Sequence, residues 1–181
     1  MGFEAAQISM PPWSSQGSWQ EANHALEFAI KRHRNQMSEL QALARRITQR
    51  IESLDALLED LCRKACPACR DSCCQRARVW FDFKDLLVMH LGANINLPDQ
   101  LRGPNDSSCR YLSRTGCMLQ RVQRPYICTW YLCAMLKEQL MQRAPSDRTY
   151  LMNSLAAVKA ARIELENQFI RIVARDLSLT G

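Results

Sequence analysis

The chain has 181 residues, 47% apolar and 23% charged, which is the composition of a globular domain rather than of a disordered polymer. Its net charge is +6, from 24 Lys and Arg against 18 Asp and Glu, and no stretch approaches the roughly 20 apolar residues of a membrane helix. A membrane-spanning helix is therefore excluded, and the unusual feature is the nine cysteines, all between Cys62 and Cys133.

Residues 1–19 are polar and contain Pro11, Pro12, Gly17 and several serines, which reads as a mobile tail. Trp13 and Trp19 are the two side chains in it able to pin it to the fold or to a partner. It has no basic start and no apolar core, so it does not resemble a secretory signal. The expected compartment is the reducing cytoplasm, where clustered cysteines bind metal or carry redox chemistry more often than they form disulfides. The odd cysteine count also fits poorly with a fully paired disulfide framework.

Residues 20–61 contain neither Pro nor Gly, and an apolar stripe runs through Leu26, Ile30, His33, Met37, Leu40, Ala44, Ile47, Ile51, Leu54, Leu58 and Leu61. One helix of that length spans roughly 60 Å and needs a partner along it. Residues 146–181 offer one. Leu151, Leu155, Val158, Arg162, Leu165, Phe169 and Ile172 follow heptad spacing, and Ser146 after Pro145 is a suitable N-cap. Arg162 interrupts that seam and is expected to snorkel, or to pair with a carboxylate such as Glu39 or Glu52. The predicted fold is mainly α: a long, coiled-coil-like antiparallel hairpin with an irregular, metal-stabilised cysteine-rich head, residues 62–145, at its tip. Folding of the helices back onto the head, or pairing with a second copy of the chain, are the alternatives.

Within the head, Val79, Trp80 and Phe81 suggest a short extended piece. Asp82 then caps a helix running to His90, with Asp85 in its first turn and Gly92 as its stop. Residues 93–125 read mostly as loop, too long to be ordered without help from the cysteines inside it. Thr129 to Arg143 is helical again.

Cys66-x2-Cys69 is the spacing that lets two thiolates grip one metal, and Cys73 places a third within reach. Cys73 and Cys74 are adjacent, so their side chains diverge and suit two metals, or two irons of one cluster. Cys109-x7-Cys117 and Cys128-x4-Cys133 complete eight thiols. These suit two four-sulfur sites, or one polynuclear site with spare thiols. Cys62 ends the long apolar stripe and is the expected odd one out, a small apolar filler. His24 and His33 lie on the long helix, and His90 is the one histidine placed to reach the site. An all-cysteine donor set with an adjacent pair favours an iron-sulfur cluster, of the four-iron type, narrowly over zinc.

The residues Cys66-x2-Cys69-x3-Cys73-Cys74, then Cys109-x-Tyr111-Leu112-x3-Gly116-Cys117-x-Leu119, then Arg124-Pro125-x2-Cys128-x2-Tyr131-x-Cys133, resemble the CxxCxxCC-type cysteine-cluster family, described as zinc- or iron-chelating. The spacing before the double cysteine is one residue longer than the strict signature. The resemblance spans residues 62–133 and implies metal binding by those eight cysteines. A similar region occurs beside bacterial flagellin lysine methylases, where it would imply an iron-sulfur centre. No Gly-rich cofactor loop follows a strand here, so the methylase activity does not carry over.

There is also no Walker-type loop, G-x-S-x-G or H-E-x-x-H motif, so no catalytic activity of its own is expected. The leading function is a metal-binding accessory protein whose helices dock a protein partner or a second copy. The alternatives are a zinc-stabilised coiled-coil adaptor and a basic nucleic-acid-binding module. Residues 62–145 carry 13 basic and 6 acidic side chains. That surplus reads as counter-charge for thiolates, which makes a nucleic-acid partner the weakest of the three.

Overall fold

A computed structural model describes residues 11–69, 72–76, 78–92, 97–102, 106 and 108–177. Expectations about residues 1–10 and about the remaining segments of the head lie outside the described residues. The described chain is mainly helical, as expected. In chain order its helices are α1 (Gln16–Arg32), α2 (Ser38–Ser53), α3 (Asp55–Ala65), α4 (Cys73–Arg76), α5 (Phe83–Leu91), α6 (Tyr126–Trp130), α7 (Ala134–Met141) and α8 (Pro145–Leu177). Among the described residues, no helix is long and apolar enough to cross a membrane.

The expected single helix over 20–61 is three helices. A 3-10 turn at Arg34–Gln36 separates α1 from α2, and a break at Leu54 separates α2 from α3. The stripe itself persists: His33, Met37, Leu40, Ala44, Ile47, Ile51, Leu54, Leu58 and Leu61 are all buried. The physical reason is length. A straight helix of that size would leave most of its apolar face in water, whereas a broken one buries it against the rest of the same chain.

α2 packs most extensively against α8 and α5, α5 also packs on α1 and α8, and α3 packs on α7. The seam of α8 is therefore shared between two helices rather than zipped against one. Leu151, Leu155, Val158, Leu165 and Phe169 are buried in it, and Phe83 of α5 meets Phe169 edge-on at 5.9 Å. Near the start of α8, the Tyr150 hydroxyl donates to Ser53 Oγ at the end of α2 (2.8 Å). Helix α5, part of the expected head, thus shares one core with the flanking helices.

Arg162 neither snorkels nor meets Glu39 or Glu52. Its side chain is 3% exposed; one guanidinium nitrogen reaches Asp82 and the other Asp85, each at 2.8 Å. The same guanidinium lies 4.8 Å over the Tyr126 ring. The two aspartates form the capping box of α5, in which each side chain accepts the other's amide. Asp85 also accepts the Tyr126 amide at 2.9 Å. This buried polar group ties α8, α5 and the start of α6 together. Burial pushes the Asp85 carboxyl up to about 6, against the pull of Arg162.

The tail is anchored from residue 13 onward. The Trp13 indole N–H donates to the Phe81 carbonyl (2.8 Å), while Trp19 is buried, stacks on Phe81 at 5.3 Å and donates to the Pro98 carbonyl. α1 starts four residues earlier than expected, with Ser15 as its N-cap in a capping box with Ser18. The Val79–Phe81 piece forms no strand, but it carries Phe81, which is fully buried.

Several hydrogen bonds tie the described parts of the 93–125 segment to the rest of the chain. Buried Gln100 accepts the amides of Phe81 and Leu101 and donates to the Trp13 carbonyl. Buried Arg102 donates to the carbonyls of Cys74 and Gln75. Two short antiparallel strands, β1 (Leu112–Ser113) and β2 (Gly116–Cys117), follow in the register Leu112 opposite Cys117 and Ser113 opposite Gly116. Gly116 takes φ 120°, a value that only glycine adopts freely, and so closes this hairpin. Finally, the expected helix from Thr129 to Arg143 is interrupted between Trp130 and Ala134, which makes Cys133 the N-cap of α7.

Candidate metal centre

Most of the cysteines lie at or near the end of an element. Cys62 and Cys66 are one turn apart at the end of α3, Cys66 being its C-cap. Cys69 follows a 3-10 turn, its amide donating to the Cys66 carbonyl at 3.1 Å. Cys73 and Cys74 open α4. Cys109 precedes the β-hairpin, Cys117 lies in β2, Cys128 lies in α6, and Cys133 caps α7. Helix N-termini carry free backbone N–H groups able to bond to sulfur, which favours thiolates at Cys73 and Cys74, at the start of α4, and at Cys133, the N-cap of α7.

The folding brings these segments into one neighbourhood. The Cys109 amide donates to the Cys74 carbonyl at 3.0 Å, and Arg102 holds that carbonyl from another side at 3.1 Å. Packing of α3 on α7 brings Cys133 into charge range of Cys66. Cys73 is likewise a charge neighbour of Cys66, while Cys117 and Cys128 are neighbours of Cys74. Cys117 is a neighbour of Cys109 too. Cys66, Cys73 and Cys128 are exposed, and the other six are half-buried. The thiols are therefore partly accessible to solvent.

Two pairs of neighbouring thiols, Cys62 with Cys66 and Cys73 with Cys74, shift each other's acidity. In the first, Cys66 donates to Cys62 and draws the Cys62 thiol down to about 7, helped by the Arg121 guanidinium; Cys66 itself is held protonated by the same bond. In the second, Cys74 donates to Cys73, whose thiol falls to about 6 with further help from backbone amides, and Cys74 is pushed up. Burial raises Cys109, offset in part by the Tyr111 amide, Arg102 and Arg110. Cys128 is open to solvent on one face and crowded on the others. That crowding, with Cys117 and Cys73 close by, pushes its thiol up.

The donor set therefore fits a thiophilic metal in kind. It is not closed around one: among the described residues, no three His, Cys, Asp or Glu side chains stand together as an ion would require. Seven of the eight expected ligands, Cys66, Cys73, Cys74, Cys109, Cys117, Cys128 and Cys133, belong to the neighbourhood. Cys69 is tied to Cys66 through its backbone amide. Cys62, expected to be inert, is in contact with Cys66 while one side of it packs on the apolar core. Its signal was available in the sequence, because Cys62 and Cys66 are i, i+4 and share one helix face.

His90 does not reach the thiols. Its Nε2 lies 2.8 Å from Asn23 Oδ1 on α1, and burial lowers its pKa. The basic surplus of the head is also largely committed. Buried Arg121 pairs with Asp55 (3.0 Å) and Glu59, Arg124 with Glu59 (2.9 Å), and Arg143 with Asp60. Only part of it acts as counter-charge for sulfur: Arg121 beside Cys62, and Arg102 and Arg110 beside Cys109.

No protein-family model, no curated protein and no solved structure matches the chain. The resemblance to the cysteine-cluster family rests on motif residues alone.

Proposed function

We propose that this protein binds a thiophilic metal centre through the cysteines of residues 62–133, as an accessory protein rather than as a self-sufficient enzyme. The observation that carries this reading is the gathering of cysteines from α3, α4, the β-hairpin, α6 and the cap of α7 into one charge-coupled group. Free thiols used as apolar filler would be dispersed and buried. Here they come from several elements near one another, none forms a disulfide, and Cys66, Cys73 and Cys128 are exposed.

The donors are all sulfur, and the one nearby histidine is engaged elsewhere. A four-iron cluster is preferred to zinc on that ground, both centres taking four thiolates. When bound, the centre would supply either electron transfer or a structural cross-link. The chain's own contribution is to gather the thiols and to ease ionisation of Cys62 through Arg121 and of Cys109 through Arg102 and Arg110. Docking of a protein partner is assigned to the helices, whose outer faces present Phe28, Met152, Ile163 and Ile170 to solvent.

Anaerobic purification followed by metal analysis and a visible spectrum tests the reading. Iron with acid-labile sulfide and a broad brown absorbance supports the cluster, and colourless protein with stoichiometric zinc supports the zinc form. Protein that carries neither metal, and takes up neither on reconstitution, would sink the proposal.

A further inference from the structure

Helix α8 carries a second stripe, on the side away from the core. Its buried seam runs through Leu151, Leu155, Val158, Leu165 and Phe169. On the opposite side Ala156, Ile163 and Ile170 recur at intervals of seven, and Ala160, Asn167 and Ala174 each follow four residues later. All six are exposed, Ile163 at 44% and Ile170 at 50%. No charged side chain interrupts this stripe, which runs for roughly 27 Å at 1.5 Å per residue. The solvent face of a surface helix is ordinarily charged and polar, and a helix that is apolar on both sides is ordinarily covered on both.

We propose that this face is a dimer interface, at which α8 forms a parallel two-stranded coiled coil with α8 of a second copy of the chain. The inference deepens the docking reading above by naming the partner, and it does not depend on the metal. The charges that flank the stripe select the occupant. In a parallel pair, side chains along one edge of the stripe meet those five residues later along the other edge of the opposite helix, and these contacts set partner and orientation. Lys159 and Glu166 lie along one edge, Glu164 and Arg171 along the other. Lys159 therefore faces Glu164 of the partner subunit, and Glu166 faces Arg171 of the partner subunit. Both contacts join opposite charges, and two-fold symmetry repeats each of them. Asn167 lies within the stripe between Ile163 and Ile170, where in a parallel pair it meets its own copy, a contact that fixes register and favours two strands. Within the chain, Glu166 pairs with Lys84 and Arg171 with Glu164, each at 3.4 Å. Ion pairs that long and partly exposed contribute little, so sharing them with a second copy costs little. The helix is already folded on its own core, so the pairing has no backbone to order.

Sedimentation equilibrium of the full chain under reductant, over a range of concentrations, tests the proposal. The wild type is expected to be a reversible dimer. Ile163→Glu/Ile170→Glu should be monomeric with unchanged far-UV circular dichroism, since both side chains are exposed in the single chain. Lys159→Glu sets like charges against each other across the interface and should weaken the dimer about tenfold. Glu164→Lys should do the same. The double variant Lys159→Glu/Glu164→Lys should recover most of the wild-type affinity, because the pairs re-form with their signs exchanged. In an antiparallel pair these two positions lie on edges that do not meet, and the two losses would add. A wild type that is monomeric at every concentration, a dimer that survives Ile163→Glu/Ile170→Glu, or a double charge variant no tighter than the single ones would overturn the proposal. None of these outcomes touches the metal reading, which is decided by the metal content of the same protein.

Discussion

Arg162 and Asp85 show how a single buried pair sets the behaviour of this chain. The heptad position of Arg162 predicted its direction, toward the core, but not its partner, because the carboxylates that receive it are far away in sequence. Replacing Arg162 by Met removes the only described cation in contact with Asp85. We expect a loss of about 3 kcal/mol in urea unfolding, since one charge of a buried pair is left uncompensated. The Asp85 carboxyl should then titrate higher still. In the wild type it is raised from an ordinary 3.8 to about 6, so the folded state holds that proton more tightly than the unfolded chain. The stability this provides is fully present below pH 4 and is lost as pH rises through about 6. A carboxyl-carbon NMR titration should show the raised midpoint. The stability difference between wild type and Asp85→Asn should shrink from pH 4 to pH 7, and a difference independent of pH would contradict it. Cys62 teaches the same lesson from the other side. Its placement on the stripe was legible, but its contact with Cys66 depends on where α3 ends, and periodicity does not encode that.

At the scale of elements, the caps were the most legible features. Asp82 with Asp85 predicted the start of α5, and Gly92 its end, because capping is local chemistry between residues three apart. The breaks in the long apolar stripe were not legible. Spacing by three and four continues through Arg34–Gln36 and Leu54 without a Pro or Gly, and the choice between one long helix and three shorter ones is made by tertiary burial. The same competition fixes α1. Its own apolar content is modest, and it is held by Trp13, Trp19 and the Asn23–His90 bond. Truncating Trp19 to Ala should therefore cost about 3–4 kcal/mol, a loss typical of a large buried aromatic. Hydrogen exchange should locate that loss in α1 and the segment around Phe81, with α2 and α8 still protected. Uniform loss of protection would show that α1 is not a separately docked element. Removing the Ser15 cap by substitution with Ala should cost only about 1 kcal/mol and should fray the first turn of α1.

Across the whole molecule, the arrangement of the core decides what a metal would be needed for. Leu40, Ile47, Phe81, Leu86, Leu87, Leu151 and Leu165 are all buried by protein alone, on α2, α5, α8 and the segment before α5. A zinc finger, by contrast, lacks such a core and unfolds when its ion is removed. The helical body of this chain should therefore survive chelation. What should not survive is the order of the described parts of the 66–79 and 108–133 segments, which depends on short helices, a hairpin of two-residue strands and a few side-chain hydrogen bonds such as those of Arg102 to the Cys74 and Gln75 carbonyls. Treating metal-loaded protein with a strong chelator under reductant should leave most of the helical circular dichroism in place. Hydrogen-exchange protection should fall sharply around Cys74, Cys109 and Cys117 and stay nearly constant in α2 and α8. Cooperative loss of all helical signal on chelation would mean that the cysteine centre nucleates the fold. Unchanged exchange throughout would mean that the thiols carry no metal that matters to it.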